Sequence, residues 1–330
     1  MAATDIHRAP TISVVVPVYN SAPMLEELVS RLERVMSAVS SRFELLLVND
    51  GSADSSWTVL QELAQTHASV RAINLMRNYG QHNALLCGIR AARFDVVVTI
   101  DDDLQNPPEE IPRLLDKLAE GYDVVYGPPA EAQHGLWRNL ASDVTKWVLQ
   151  GAMGAQVARK VSAFRVFRRP LREAFVSYTA PSVCIDVLLT WGTSRFAAVP
   201  VRHEARKVGE SGYSFRRLVN HAITMMTGFS TLPLQLASAL GFVFTFFGVA
   251  ILVFVLASYW IHGGSVPGFP FLASVIVIFA GAQLFALGIM GEYLARMHFR
   301  MMDRPSYAIQ TVVECNESES TLPAHSKALG

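Results

Sequence analysis

The chain has 330 residues, enough for about two domains, and its 28 basic and 28 acidic side chains cancel to a net charge of +0. No overall field therefore draws it to nucleic acid or to another strongly charged partner. Apolar residues make up 51% and charged residues 17%, and Cys87, Cys184 and Cys315 are too scattered for a disulfide framework or a metal-ligand cluster.

Met1 to Pro10 is polar and mixed, without the apolar stretch of a signal peptide, so the first domain is expected to stay in the cytosol. Thr11 to Val18 (TISVVVPV) reads as a buried strand, and Tyr19-Asn20-Ser21-Ala22-Pro23 as a turn. Met24 to Val39 places Leu25, Leu28, Leu32, Val35 and Val39 at helical spacing. A second strand, Phe43 to Val48, runs into the turn Asn49-Asp50-Gly51-Ser52, and a helix follows over Ser56 to Gln65. Val70 to Asn74 is a third strand, Gln81 to Ala92 a third helix, and Asp95 to Ile100 a fourth strand. Strand and helix alternating in this way predict a mostly parallel, Rossmann-like α/β sheet.

In such a sheet the loops after the strands build the binding crevice. Here those loops carry Pro17-Val18-Tyr19-Asn20, Asn49-Asp50-Gly51-Ser52, Arg77-Asn78-Tyr79-Gly80-Gln81-His82 and Asp101-Asp102-Asp103. Pro107 and Pro108 force a turn, so the three aspartates fall at the end of the fourth strand. Adjacent carboxylates repel one another unless a cation neutralises them, and hard divalent ions such as Mg2+ or Mn2+ suit oxygen ligands beside a phosphate. Neither Gly-x-Gly-x-x-Gly nor a Gly-Lys-Ser/Thr loop is present, so a nucleotide here would be held by carboxylates and a metal.

These loops resemble the family 2 glycosyltransferases of the GT-A fold. Arg77 to His82, Asp103-Leu104-Gln105-Asn106-Pro107-Pro108-Glu109-Glu110-Ile111-Pro112 and Val208-Gly209-Glu210-Ser211-Gly212-Tyr213-Ser214 are similar to the polyprenyl-phosphate glycosyltransferases. That group includes dolichol-phosphate mannose synthases and undecaprenyl-phosphate 4-deoxy-4-formamido-L-arabinose transferases. The resemblance implies nucleotide contacts at Pro17, Tyr19, Asn20, Asp50, Arg77 and Asp101. It implies Mg2+ or Mn2+ on Asp101 and Asp103, with Gln105 close by, and Arg165 facing a phosphate. Arg206 and Ser211 map to the loop that takes the lipid phosphate.

The sequence departs from the family at Ser21, where a glutamate is usual, at Ser162 and Ala163, where many relatives carry an aspartate, and at Gly212, where a lysine is usual. The aspartate is dispensable if the acceptor is a phosphate monoester, whose second pKa of about 6 leaves it anionic near neutral pH.

From Leu218 to Gly291 no Asp, Glu, Lys or Arg occurs. Leu232 to Ile261 and Phe269 to Leu287 are each long enough to span a bilayer, since about 20 apolar residues suffice. Arg206, Lys207, Arg216 and Arg217 flank the pair on one side, Arg296, Arg300 and Arg304 on the other, and the turn His262 to Gly268 is uncharged. The positive-inside rule then places both termini in the cytosol. Ser214 to Thr231 reads as an amphipathic helix on the membrane surface, and Gly281, Gly288 and Gly291 as sites of close helix packing, within the pair or between subunits.

The expected organisation is a cytosolic GT-A domain over residues 1–213, an amphipathic segment over 214–231, a two-helix transmembrane hairpin over 232–294 and a cytosolic tail over 295–330. The expected protein is an enzyme of the bacterial cytoplasmic membrane that moves a sugar, UDP-linked by resemblance, to polyprenyl (undecaprenyl) phosphate. Relatives include monomers and homo-tetramers. Two alternatives are a processive polysaccharide synthase, disfavoured by the missing Gln-x-x-Arg-Trp, and a non-catalytic nucleotide-sugar-binding scaffold.

Overall fold

The computed structural model describes residues 10–130, 160–180, 183–204, 232–262, 268–302 and 305–315. The chain divides into two units, one of Met1–Asn139, Gln156–Gly212 and Arg304–Gly330, the other of Leu140–Ala155 and Tyr213–Asp303.

The first unit begins with β1 (Ile12–Val18), α1 (Leu25–Val39), β2 (Phe43–Asn49), α2 (Ser56–Thr66), β3 (Val70–Leu75), α3 (Gln81–Ala91) and β4 (Val96–Thr99). These elements follow the expected alternation to within a residue or two. α4 (Ile111–Ala119), β5 (Val124–Tyr126), β6 (Arg165–Arg168), α5 (Ile185–Thr190) and β7 (Phe196–Ala198) come next. The last strand, β8 (Ile309–Glu314), belongs to the same sheet although the chain reaches it only after the second unit.

The eight strands stand in the order β7-β5-β6-β4-β1-β2-β3-β8. β1 pairs parallel to both β2 and β4, and β2 parallel to β3. β6 lies antiparallel between β4 and β5, and β8 closes the far side antiparallel to β3. Because β1 has β2 on one side and β4 on the other, the loops after β1 and β4 diverge at a topological switch point, where open α/β sheets bind their ligands.

Alternation along the buried strands sorts the core into two layers. Val14, Val16, Leu45 and Leu47 face α1, α2 and α4, whereas Val15, Leu46 and Val48 face α3 and α5. Each such side chain, fully buried, contributes about 1.5–3 kcal/mol. A sheet covered on both faces is rigid, and the loops at its carboxyl edge inherit that rigidity.

The second unit contains α6 (Leu232–His262) and α7 (Phe269–Met301). Both are long and apolar enough to cross a membrane, over Pro233–Ile261 with mean hydropathy 2.7 and Ile278–His298 with mean hydropathy 1.4. Phe242, Phe246 and Trp260 are exposed around α6, the pattern of a helix with no polar face for water. α7 continues beyond the expected Leu287, because Glu292 and Arg296 are tolerated as an i,i+4 pair near its end. The two helices meet where Phe244 and Phe279 stack edge to face at 5.5 Å. Gly281, Gly288 and Gly291 instead face open space, and a Cβ on Gly248 would come within 3.1 Å of Phe279. The amphipathic segment over 214–231 lies outside the described residues, apart from its neighbour Leu232 onward.

Candidate functional site

The four loops after β1, β2, β3 and β4 emerge on one edge and are hydrogen-bonded in a closed ring. The first loop is bound to the second by the Asn20 N–H, which donates to Ser52 Oγ at 3.0 Å, and by the Ala53 N–H, which donates to Asn20 Oδ1 at 2.8 Å. The Ser21 N–H adds a third bond, to Ser56 Oγ at 2.9 Å. These contacts hold Asn20 in a left-handed conformation with φ 54°, which a non-glycine residue keeps only where its surroundings require it.

The second loop is bound to the third through Asp50. Its two carboxylate oxygens accept the Tyr79 and Gly80 backbone N–H groups at 2.7 and 2.8 Å. Burial pushes the Asp50 carboxyl up, against the lowering by those two amides. Gly51 makes the close approach possible: its φ is +65°, and a Cβ there would lie 2.5 Å from the Asn78 nitrogen. The third loop is bound to the fourth by Gln81, whose Nε2 donates to Asp101 Oδ1 at 2.7 Å. The fourth returns to the first through Asp102, whose Oδ2 accepts the Tyr19 N–H at 3.1 Å and the Ser21 hydroxyl.

The three aspartates are half-buried at the centre of this ring. Burial pushes the Asp101 carboxyl up to about 7, helped by the charges of Asp103 and Asp102 and opposed by Arg165 and the Gln81 bond. Burial likewise raises Asp102, against the Ser21 and Tyr19 hydrogen bonds. The site therefore concentrates more negative charge than its protein surroundings neutralise. An all-oxygen donor set of this kind fits a hard divalent cation. Asp103 Oδ1 accepts the Gln105 N–H at 3.1 Å, and Leu104 takes a left-handed φ of 57°, which turns the chain sharply past the carboxylates.

Beneath this edge lies Arg165. It is 1% exposed, pairs in register with Thr99 at the end of β4, and donates to Asp186 in α5. A charge so deeply buried needs its partner, and the Arg165–Asp186 pair puts a fixed positive charge near Asp101. His82, Cys184 and Asp186 also bring potential metal-ligand atoms within 4.8 Å of one another. That cluster already contains a cation, the Arg165 guanidinium, and burial drives the Cys184 thiol up to about 12. It is a structural junction between α3, α5 and β6.

The expected site residues thus divide. Pro17, Tyr19, Asn20, Asp50, Asp101, Asp103 and Gln105 lie in or beside the ring, with Pro17 the second-to-last residue of strand β1. Arg77 is exposed at its rim, its guanidinium 4.5 Å over the Tyr79 ring. Arg165 is under the ring and engaged. Arg206, Ser211 and the departure at Gly212 lie outside the described residues. Ser162 and Ala163 serve the backbone: Ser162 Oγ donates to the Gly127 carbonyl at 2.8 Å, and the Ala163 carbonyl accepts Thr99 Oγ1 at 2.9 Å.

Sequence reasoning missed three contributors. Asp102 was read only as part of an acidic run, although it carries the bond between the outer two loops. Gln81 stands in the Arg77–His82 loop and opens a helix, but its sequence context does not give it the bond to Asp101. Asp186 had a signal in plain view, a lone carboxylate inside the apolar run Cys184-Ile185-Asp186-Val187-Leu188, which has to find a buried cation.

The family model described as glycosyl transferase family 2 matches residues 13–173. Among solved structures, the fold is similar to glucosyl-3-phosphoglycerate synthase from Mycobacterium tuberculosis in complex with Mn2+ and UDP-glucose. That match has 18% identity and TM-score 0.51 and covers 66% of this chain and 77% of the other. The same enzyme with Mn2+, UDP-glucose and phosphoglyceric acid matches at 17% identity and TM-score 0.50, covering 66% and 79%. Strand order and the aspartates at the β1/β4 switch point agree with these matches: the sheet is of the GT-A type, and residues 13–173 are similar to glycosyl transferase family 2.

Proposed function

We propose that the protein is a membrane-bound inverting glycosyltransferase that moves a sugar from a UDP-sugar to the phosphate of a polyprenyl lipid. The observation that carries this reading is the pairing, in one chain, of an under-neutralised Asp101–Asp103 cluster in a domain similar to family 2 with two long helices apolar enough to cross a membrane. The fold's likeness to an enzyme solved with Mn2+ and UDP-glucose supports the donor class. The Arg77 to His82 and Val208 to Ser214 stretches, similar to those of polyprenyl-phosphate transferases, support the acceptor class.

In this reading Asp103 and Asp101 hold Mg2+ or Mn2+. The bound ion supplies Lewis-acid neutralisation of the departing nucleoside diphosphate. Pro17, Tyr19, Asn20 and Asp50 shape the nucleoside pocket. Asp50 does so chiefly by fixing the Tyr79–Gly80 backbone, since both its oxygens already accept amides. Arg77, exposed at the rim, has the bidentate donor geometry that suits a diphosphate. Arg165 acts on the site through its charge near Asp101, and Gln105 lies next to the metal carboxylates. Arg206 and Ser211 take the lipid phosphate.

The acceptor phosphate oxygen forms a bond to the anomeric carbon as the bond from that carbon to the diphosphate oxygen breaks, on opposite faces, so the configuration inverts. No protein base is required, because the phosphate monoester is already anionic, and Ser162 and Ala163 are compatible with that. The domain contributes position and charge neutralisation. α6 and α7 confine the enzyme to the surface that holds its acceptor, which raises the effective acceptor concentration.

The test is transfer of radiolabel from a panel of UDP- and GDP-sugars to undecaprenyl phosphate in detergent, with Mn2+ or EDTA, for wild type and Asp103→Ala. Labelled lipid that needs metal and disappears in the variant is the expected result. Measurable UDP binding without labelled lipid from any donor would favour the scaffold.

A further inference from the structure

A single hydrogen-bonded path joins the C-terminal strand to the first loop of the site. The Asn20 N–H donates to Ser52 Oγ at 3.0 Å, and the Ser52 hydroxyl donates to Asn49 Oδ1 at 2.6 Å. Asn49 Nδ2 donates to Asn74 Oδ1 at 2.7 Å, and Asn74 Nδ2 donates to Gln310 Oε1 at 2.9 Å. Every member accepts from the side of the loop and donates toward Gln310. Aligned chains of this kind polarise one another, so each bond strengthens the next. A single reversed amide would set two donors or two acceptors face to face.

The middle of the path is shielded and its far end is exposed. Asn49 and Asn74 are 2% and 8% exposed, so neither amide can turn to water when a partner is lost. Gln310 is on the solvent side of β8, the outermost strand, whose Thr311 pairs with Asn74. In sequence, β8 follows α7 directly. At the near end, the path supports the loop whose Asn20 is held in the left-handed conformation. β8 is held on β3 by backbone pairing and, at its far end, by Arg71 and Arg93 on Glu314, contacts that are independent of the Asn49–Asn74–Gln310 row.

We propose that Gln310 and Asn74 are positioning residues that set donor affinity: the strand following the apolar helices holds the nucleoside loop in its binding conformation through this relay. The proposal rests on the reading of the Tyr19–Asn20 loop as a nucleoside contact. It makes β8 part of the donor site without touching the donor. A chain whose C-terminal strand is displaced keeps its aspartates but binds the nucleotide less well.

The test uses the full chain in detergent and two variants at the exposed end, Gln310→Leu and Gln310→Glu. Leucine removes the acceptor and covers the Asn74 amide, whereas a glutamate oxygen accepts the same bond. Titration with UDP and Mn2+ should show Gln310→Leu binding about threefold to tenfold more weakly, the loss expected for one hydrogen bond. Its donor KM should rise by the same factor while kcat stays at the wild-type value, and Gln310→Glu should match wild type. Hydrogen exchange gives a readout that needs no ligand: the Asn20 and Ala53 amides should exchange faster in Gln310→Leu than in wild type or Gln310→Glu.

Unchanged exchange at Asn20 and Ala53 in Gln310→Leu would overturn the relay. Faster exchange with unchanged UDP affinity would overturn its link to the donor, and a Gln310→Glu as impaired as Gln310→Leu would reduce it to strand packing. If wild type itself binds no UDP, the proposed function fails, and the exchange rates alone decide whether the relay exists.

Discussion

Asp50 and Asp101 occupy equivalent places, each at the carboxyl end of a parallel strand in the same sheet, yet they live in opposite surroundings. Asp50 is nearly buried, and both its oxygens accept backbone N–H groups from the neighbouring loop. Asp101 accepts one side-chain amide, lies beside two more carboxylates, and its carboxyl is pushed up to about 7. The first carboxylate has each oxygen committed to building the site. The second is left without enough positive charge, which is the condition a metal and a diphosphate would relieve. Residue type and strand position are therefore insufficient to assign a role; the count of donors already committed to each oxygen separates scaffold from reagent.

The largest effect expected is on chemistry at the second region. Asp103→Ala should lower sugar transfer by about 10²–10³-fold or more, the scale seen when one charge-stabilising group is lost. Its thermal midpoint should stay near the wild-type value, since the freed Gln105 N–H is offset by the loss of one of three repelling carboxylates. A clear fall in the midpoint would break the comparison by making Asp103 structural.

Asp50→Ala should do the reverse. It leaves the Tyr79 and Gly80 amides without acceptors and should cost about 1–3 kcal/mol of stability, read from denaturant midpoints. Asp50→Asn, which keeps one acceptor oxygen, should fall between. A variant as stable as wild type but unable to bind UDP would return Asp50 to the reagent side.

Asp102 sharpens the contrast because it stands between Asp101 and Asp103 and yet serves the loops. Asp102→Ala frees the Tyr19 N–H and the Ser21 hydroxyl and should raise the donor KM by about tenfold or more, from the lower end upward for hydrogen bonds to a charged group. Asp102→Asn retains an oxygen that can accept both and should stay within about threefold of wild type on the same scale. Equal losses in the two variants would show that its charge, not its hydrogen bonding, matters.

The smallest effect concerns acid stability at Glu110, away from both aspartates. Burial raises its carboxyl, but the Arg202 and Arg113 hydrogen bonds outweigh it and hold the group below the usual glutamate range. A depressed folded pKa means that this stability is present above the unfolded value of about 4.3 and is lost as pH falls through the folded one. Wild type should therefore destabilise more steeply than Glu110→Gln below about pH 4 in unfolding midpoints measured across pH.

The alternating run from Thr11 to Ile100 was legible because its strands are long, β-branched and buried, and its helices repeat at 3.6 residues. β5 and β7, at three residues each, were not, since no periodicity can register over so short a span. β6 was legible only through Arg165, the residue the family resemblance singled out. The place of β8 beside β3 depends on a pairing across most of the chain, which no local pattern announces. The apolar pair was legible as hydropathy; within the pair the helices meet at Phe244, Gly248 and Phe279, and Gly281, Gly288 and Gly291 of α7 face open space.

The amino-acid sequence by itself determined the strand–helix order, the acidic turn at Asp101–Asp103 and the two long apolar helices, because each depends on local pattern and composition. Tertiary structure alone decided which loop holds which. Asp50 meets Gly80, Gln81 meets Asp101, Asp102 meets Ser21 and Gln310 meets Asn74 only after parallel strands have brought residues far apart in the chain to one edge. Hydrogen bonds are short and directional, so their partners are set by where the backbone delivers each donor, and no local pattern encodes that delivery.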